Sequence, residues 1–483
     1  MTGTGHSTHR DAPDGALTGV RRAMAAGAHG VYLGHGAAGW HQAGAEQSVL
    51  VLGPPRSGKT SSLIIPNVLA AAGPVVATST KPDVLDATAG VRQVVGTVHL
   101  FDPTFSVADR PGVHRIRWSP LPRCTAWRAA MTTAQALVQV TSPGGTGLDH
   151  WHERAQALLA PLLHAAALDG ADMRTVLTWV DRRQALPAQR ILAAEPPGAD
   201  AVARHLLEGI TTTEERELSG IWSTASGSLG AFRSAEALAA TCRPDFDAAA
   251  FVASADALFI AAPAHHQTLA APLVVGLLDE IRHATYDLSA RSASRGRPPV
   301  LFALDELANI APLPDLPAMI SEGGGQGLVT LACFQDLSQA RHRWPTRADG
   351  FPSLFGTTVV LPGIGDVATL DALSVIGGDE ELAVRSTSLG RSFGDDPLGA
   401  LFGAGRTQSG HQVATTFRRR LPPDVVAVGR PGHALTFDHR NQPAWIPLRP
   451  AHRSEPWRSL RTPDLALAPR TRALGQDLGP AGR

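Results

Sequence analysis

Lysine is almost missing from this chain. Of 43 basic residues only Lys59 and Lys81 are lysines, and the rest are arginines. Such a bias fits a high-GC coding background in which arginine replaces lysine wherever its planar head will serve. A lysine that persists then marks a place where a compact ammonium is needed. Cysteine is also scarce. Cys124, Cys242 and Cys333 are scattered among apolar neighbours without metal-ligand spacing, which excludes a disulfide scaffold and reads as buried thiols in a reducing compartment. Charge of one sign is not in excess, with 43 basic against 43 acidic residues. No global basic field therefore announces nucleic acid, and any contact with a polyanion has to come from local patches. No apolar run reaches the roughly 18–20 residues of a membrane helix. The best candidate, ALLAPLLHAAAL at 157–168, is too short and contains His164. The start, MTGTGHSTHRDAPDGAL, is polar and unlike a signal peptide. These absences predict a soluble, cytoplasmic protein without a membrane span of its own. At 483 residues and 43% apolar content, there is material for about three domains with sizeable cores.

What is present is a phosphate-binding signature. In SVLVLGPPRSGKTSSLIIPNVL, residues 48–69, an apolar strand precedes Gly53-Pro54-Pro55-Arg56-Ser57-Gly58-Lys59-Thr60, and Leu63, Ile64, Val68 and Leu69 follow at helical spacing. Every defined place of G-x-x-x-x-G-K-[ST] is filled, between a strand and a helix, where the mechanism requires it. Gly53 and Gly58 let successive backbone N–H groups line a phosphate-sized cup. The helix starting near Gly58 adds its positive end. Lys59 is placed for the β- and γ-phosphates, and the hydroxyl of Thr60, or of Ser61, for Mg²⁺.

Further along, GPVVATSTKPDVLDATAG reads as a strand over 74–78 and a helix opened by Pro82. Lys81 then lies at the C-terminal end of that strand, the edge at which open α/β sheets bind ligands. TVHLFDP at 97–103 and DALFIAAP at 256–263 continue the alternation of strand and helix that predicts a parallel sheet. Between them the chain is Ala- and Leu-rich with helical periodicity, an all-α insertion over 121–245. VLFALDELANI at 300–310 is an apolar strand ending in Asp305 and Glu306. Asp305 is placed to hold Mg²⁺ through water and Glu306 to orient or deprotonate an attacking water; the alternative is a pair of acids favouring a helix start. Gln335 ends the next buried strand, as a sensor of the γ-phosphate or as an ordinary polar strand terminus. Residues 385–417, rich in Ser, Gly and Thr, read as a mobile loop, and the Arg- and Pro-rich stretch from Arg449 as a disordered tail. His150, His152 and Glu153 read as a helix-start surface; neither they nor His265 and His266 are assigned to a metal. The expected organisation is a partly disordered N-terminal segment over 1–40, sheet-building parts over 41–120 and 246–450 flanking the helical insertion, and a disordered tail over 451–483.

The segments GPPRSGKTSSLIIPNVL, VVATSTKPDVLDATAG, DHWHERAQALLAPLLHAAAL and LFALDELANIAPLPDLPAMISEGGGQGL…FQDLSQ occur in that order. Together they resemble the TraG/TraD-type coupling ATPases of conjugation and type IV secretion, over roughly residues 30–450. The phosphate motif is generic; the DELANI segment followed by Q-x-L-x-Q is much more specific. The resemblance implies an α/β fold, a RecA-like P-loop domain with a mostly parallel sheet flanked by helices and an inserted all-α domain. It further implies ATP and Mg²⁺, assembly into a homo-hexamer, and delivery of DNA, especially single-stranded, or of a relaxase-type nucleoprotein to secretion-channel components. Lys59 and Thr60 become the phosphate and Mg²⁺ contacts, Asp305 and Glu306 the acidic pair, and Gln335 the sensor. Lys81 and Asp83 fall in a segment often written D-P-K-G-E, here Ser79-Thr80-Lys81-Pro82-Asp83.

Two departures accompany the resemblance. The family usually begins with membrane helices, so recruitment to the inner face of the membrane would fall to a partner. Many members carry an arginine before the sensor strand; here that stretch is Glu322-Gly323-Gly324-Gly325-Gln326-Gly327, so that another arginine, such as Arg341 or Arg343, would have to serve, or hydrolysis would be slow. Two alternatives stay open: a DNA pump of the FtsK or HerA kind, and a nucleotide-dependent assembly platform with little hydrolysis.

Overall fold

Short runs of aliphatic and β-branched residues closed by Gly, Pro or a polar residue form the strands, and longer Ala- and Leu-rich stretches form the helices. The computed structural model describes residues 11–37, 39–141, 150–291, 297–392 and 406–461. Helix α1 (Asp11–Ala26) precedes a hairpin of β1 (Tyr32–Gly36) and β2 (Gly39–Gln42). Next come β3 (Val49–Leu52), a π-turn over Thr60–Ile64, α2 (Ile65–Ala70), β4 (Val75–Ser79), α3 (Asp83–Val95), β5 (Val98–Phe101) and β6 (Val113–Arg115). The chain is then helical through α4 (Trp127–Val140), α5 (His150–Leu168), α6 (Met173–Asp181), α7 (Leu186–Ala193), α8 (Ala201–Thr211), α9 (Glu215–Ser228), α10 (Ala235–Thr241) and α11 (Ala248–Val252).

It returns to the sheet with β7 (Ala257–Ala261) and α12 (Gln267–Arg291), followed by β8 (Val300–Leu304), α13 (Leu307–Ile310) and α14 (Leu316–Gly323). β9 (Leu328–Phe334), α15 (Leu337–Arg343), α16 (Phe351–Leu354), β10 (Thr357–Val360) and α17 (Val367–Ile376) come next. The last elements are β11 (Asp379–Ser392), β12 (Arg406–Arg419), α18 (Pro423–Val428), β13 (His433–Phe437), β14 (Pro443–Pro447) and α19 (Trp457–Leu460).

Ten strands make one sheet in the order β14-β13-β10-β3-β9-β8-β4-β7-β5-β6. Every neighbouring pair from β10 to β6 is parallel, while β13 and β14 extend the β10 edge antiparallel. The C-terminal ends of β3, β4, β8 and β9 consequently open on the same edge. Both faces are covered, which explains why these strands are apolar throughout instead of alternating. Along β3 the side chains still alternate in direction. Val49 and Val51 join a core with Leu63, Val68 and Leu85, and Leu50 and Leu52 join the opposite one. That second core is continuous with the helical insertion, since Leu158, Leu162 and Phe232 belong to the same buried cluster as Leu50 and Phe302. No helix among the described residues is long and apolar enough to cross a membrane.

Two segments differ from the sequence expectation, and a third, the N-terminal one, holds a helix. The stretch at 385–417 is not a loop where it is described. β11 and β12 pair antiparallel from Asp379 with Arg419 to Ser392 with Arg406, and residues 393–405 lie outside the described residues. The two strands pair apart from the main sheet, and their Ser-, Gly- and Thr-rich sequence lacks the apolar alternation by which strands are read. At the N-terminus, within the 1–40 segment, α1 buries Leu17, Val20 and Met24. At the C-terminus, α19 places Trp457, only 1% exposed, edge-on to the rings of Tyr32 and Trp40 at 5.0 and 5.1 Å. One large aromatic can anchor a Pro- and Arg-rich stretch whose average composition predicts disorder. Residues 462–483 and 1–10 lie outside the described residues.

Candidate nucleotide-binding site

Because Val49–Leu52 is buried on both faces, the chain has to turn sharply at Gly53 to leave the sheet. A Cβ on Gly53 would stand 2.7 Å from Ser57 Oγ and 2.9 Å from Leu361 Cβ, so no larger residue fits. Arg56 and Gly58 curl the loop with φ of +64° and +99°; Gly58 does so freely, whereas Arg56 holds the left-handed conformation as strain. Pro54 and Pro55 stiffen the outer part of the turn, and Pro55 is exposed. Lys59, 6% exposed, donates from Nζ to the carbonyls of Gly53 at 2.6 Å and Pro54 at 3.1 Å. Ser57 Oγ is buried and has no hydrogen-bond partner among the described residues. An oxyanion in the cup would accept from both groups, so the residues fit a phosphate.

Thr60 Oγ1 donates to Asp305 Oδ2 at 2.5 Å across 245 positions of sequence. This bond joins the π-turn after the phosphate loop to the end of β8. Thr78, on β4, donates from Oγ1 to the carbonyl of Asp305 at 2.8 Å and braces the same turn. Burial pushes the Asp305 carboxyl pKa up, against the opposing pull of the Thr60 bond and the Lys59 charge. A hydroxyl and a carboxylate side by side, with oxygen donors only, suit a hard divalent cation such as Mg²⁺. Ser61 Oγ turns instead to the carbonyl of Gly58 at 3.4 Å, which leaves Thr60 as the hydroxyl facing Asp305.

Glu306 has φ +51° and ψ +43°, and its side chain does not cap α13. Oε2 accepts a bond from Asn309 Nδ2 at 3.3 Å. An acid retained only to start a helix would cap the first turn and would have no need of a left-handed backbone. Gln335 follows β9, which lies between β3 and β8, and thus stands between the phosphate loop and the acidic pair. Its backbone N–H donates to Gln339 Oε1 at 2.9 Å.

Lys81 stands apart from these residues. It is exposed, its backbone N–H donates to Ser79 Oγ at 3.2 Å, and its ammonium meets no hydrogen-bonding or ion-pairing group among the described residues. The two arginines considered for action on a neighbouring site are both engaged within the chain. Arg341 pairs with Asp349 at 2.8 Å and Asp366 at 3.2 Å. Arg343 donates to the carbonyl of Ala308 at 3.0 Å. His150 pairs with Glu217 at 3.3 Å. Thr78 was not legible as a site residue; the only hint is a hydroxyl near the end of an otherwise apolar buried strand.

The family described as "Type IV secretory system Conjugative DNA transfer" matches this chain over residues 8–392. Two conjugal transfer proteins TraG of Escherichia coli are 24% identical over 324 residues and 26% identical over 321, each match covering 62% of this chain and 49% of the relative. The chain therefore spans about half the length of the curated relatives it matches. Among solved structures, the unbound bacterial conjugative coupling protein TrwBdeltaN70 superimposes with a TM-score of 0.60 at 17% identity, over 84% of this chain and 85% of that one. TrwB in complex with ADP and Mg²⁺ superimposes at 0.57, also at 17% identity and over 84% and 85% of the two chains. Likeness at this identity concerns the fold, which is the RecA-like P-loop architecture: a large, mostly parallel sheet flanked by helices.

Proposed function

This chain belongs to the type IV secretory system conjugative DNA transfer family, and from that membership we propose that it is an ATP-hydrolysing coupling protein that delivers DNA, or DNA with attached protein, to a conjugative or type IV secretion channel. The observation that carries the reading is the Thr60–Asp305 bond. It joins a phosphate loop to a buried acid at one sheet edge, with Glu306 beside it, an arrangement suited to cleaving a phosphoanhydride. Lys59 and the loop N–H groups bind and neutralise the phosphates of ATP. Thr60 and Asp305 hold Mg²⁺, which supplies charge neutralisation on the β- and γ-phosphates when bound. Glu306 orients the attacking water and accepts its proton. Gln335 reads the γ-phosphate from its place between loop and acid. TrwB has been captured with ADP and Mg²⁺ and with a non-hydrolysable ATP analogue, which supports the same ligands here.

In this reading the protein works in the cytoplasm as a homo-hexamer at the inner face of the membrane, recruited there by a channel component. Its cargo is single-stranded DNA or a relaxase-type nucleoprotein, contacted by the helical segment at 121–245. The test is ATP turnover with single-stranded DNA, duplex DNA and none. Stimulation by DNA is expected; no turnover under any condition would overturn the motor. A second reading, an assembly platform with little hydrolysis, is favoured by Arg341 and Arg343 being engaged within their own chain. It predicts ATP-dependent assembly without product release.

A further inference from the structure

The helix after the phosphate loop is apolar from Leu63 to Ala70 except at Asn67, and Asn67 is 2% exposed. A carboxamide buried so deeply is costly unless its hydrogen bonds are made. Here they are. Tyr32 N–H donates to Asn67 Oδ1 at 2.8 Å, while Asn67 Nδ2 donates to the carbonyls of Tyr32 and Leu63, both at 2.9 Å. One side chain thus occupies both backbone groups of Tyr32, as a neighbouring strand would, and ties β1 to the helix.

Leu63 belongs to the π-turn Thr60–Ile64, in which Ile65 N–H bonds back to the carbonyl of Thr60. Pro66 explains why the ladder is loosened there, since it has no N–H to offer the carbonyl of Ser62. π-turns concentrate at functional sites, and this one carries Thr60 and Ser61. At its start Ser62 N–H donates to the carbonyl of Gly58 at 2.8 Å; three residues past its end, in α2, Asn67 reaches back to the Leu63 carbonyl. Tyr32 in turn packs edge-on against Trp40 at 5.2 Å and Trp457 at 5.0 Å.

We propose that Asn67 is a positioning residue of the nucleotide site: its carboxamide holds the π-turn of the phosphate-loop helix against β1, so that nucleotide binding and the packing of the β1–β2 hairpin on Trp457 are coupled. The inference rests on the nucleotide reading above. Coupling is reciprocal, so the bound phosphate should also steady the hairpin.

The test uses the full chain with Mg²⁺ and a non-hydrolysable ATP analogue. In the wild type, hydrogen exchange of the amides at 31–43 should slow about fivefold on adding the analogue. In Asn67→Ala, calorimetric affinity should fall about tenfold, equivalent to ~1.4 kcal/mol. The rise in melting temperature brought by the analogue should shrink accordingly. Wild-type affinity in Asn67→Ala, or a melting temperature lowered equally with and without nucleotide, would make Asn67 merely structural. Where the variant fails to fold, the wild-type exchange experiment decides, and unchanged exchange at 31–43 overturns the coupling. A wild type that does not bind the analogue removes the nucleotide reading and this proposal with it, whereas binding unaffected by Asn67→Ala removes this proposal alone.

Discussion

Replacing Glu306 by glycine should leave the fold about as stable as before while abolishing turnover. The backbone of Glu306 sits at φ +51° and ψ +43°, a left-handed conformation that costs a residue with a Cβ roughly 1–2 kcal/mol. Glycine removes that cost. Against this gain, glycine widens the unfolded ensemble by about 0.4–1 kcal/mol. The partly exposed bond from Asn309 at 3.3 Å is also lost, at about 0.5 kcal/mol. The net effect lies between about 0.5 kcal/mol of destabilisation and about 1 kcal/mol of stabilisation, the sum of these terms. Glu306→Gln separates the two effects, because it keeps the Cβ and the strain but loses the basic oxygen. Its stability should match wild type within about 0.5 kcal/mol, and its turnover should fall by about 10²–10⁴. Urea midpoints measured without nucleotide at equal m-value, beside steady-state ATP turnover, read both quantities. If Glu306→Gly is destabilised by more than ~1 kcal/mol, the left-handed backbone is not stored strain. If both variants turn over ATP at the wild-type rate, Glu306 is not the base.

Lys59→Ala should abolish nucleotide binding in a calorimetric titration, since the backbone cup lacks the charge to neutralise the phosphates; unchanged affinity would remove the phosphate-loop assignment. Lys81→Arg and Lys81→Ala should both lower ATP turnover if the exposed ammonium serves the site of a neighbouring subunit, and wild-type turnover in both would leave it a surface residue. Burial alone would raise the carboxyl pKa of Asp279, but His283, Arg282 and Arg123 outweigh it and hold it well below the usual range. Its contribution is therefore complete above the unfolded value of about 4 and fades as pH falls below that. Asp279→Asn should accordingly flatten acid unfolding below about pH 4, and an unchanged acid slope would refute the assignment. Arg92, 0% exposed, donates to the carbonyls of Ala71 at 2.5 Å, Gly73 at 3.1 Å and Ala255 at 2.6 Å. Arg92→Met leaves three acceptors unpaired and should cost roughly 3 kcal/mol or more in urea unfolding; a loss under ~1 kcal/mol would show that water replaces it.

Features made by neighbouring residues were legible in the chain order. The turn at Gly53, the cup closed by Gly58 and Lys59, and the start of a helix after it depend on consecutive residues, because backbone dihedrals are set over a few positions. The strands around Val51, Phe259 and Phe302 were legible because burial on both faces demands an unbroken apolar run. The hairpin of β11 and β12 was not, since its Ser-, Gly- and Thr-rich strands hold no such run. Trp457 was hidden by the composition around it. Pairings over long distances were out of reach for a different reason. Asp305 could be named as an acid at the end of a strand. That its carboxylate would meet Thr60, and its carbonyl Thr78, follows from β8 lying beside β4 and one strand from β3. Asn67 illustrates the same limit: a lone polar residue in an apolar helix marks an unmet need for hydrogen bonds. Its partner, the backbone of Tyr32, came within reach only when the hairpin packed on the helix, because hydrogen bonds act over about 3 Å of space and carry no trace in sequence separation.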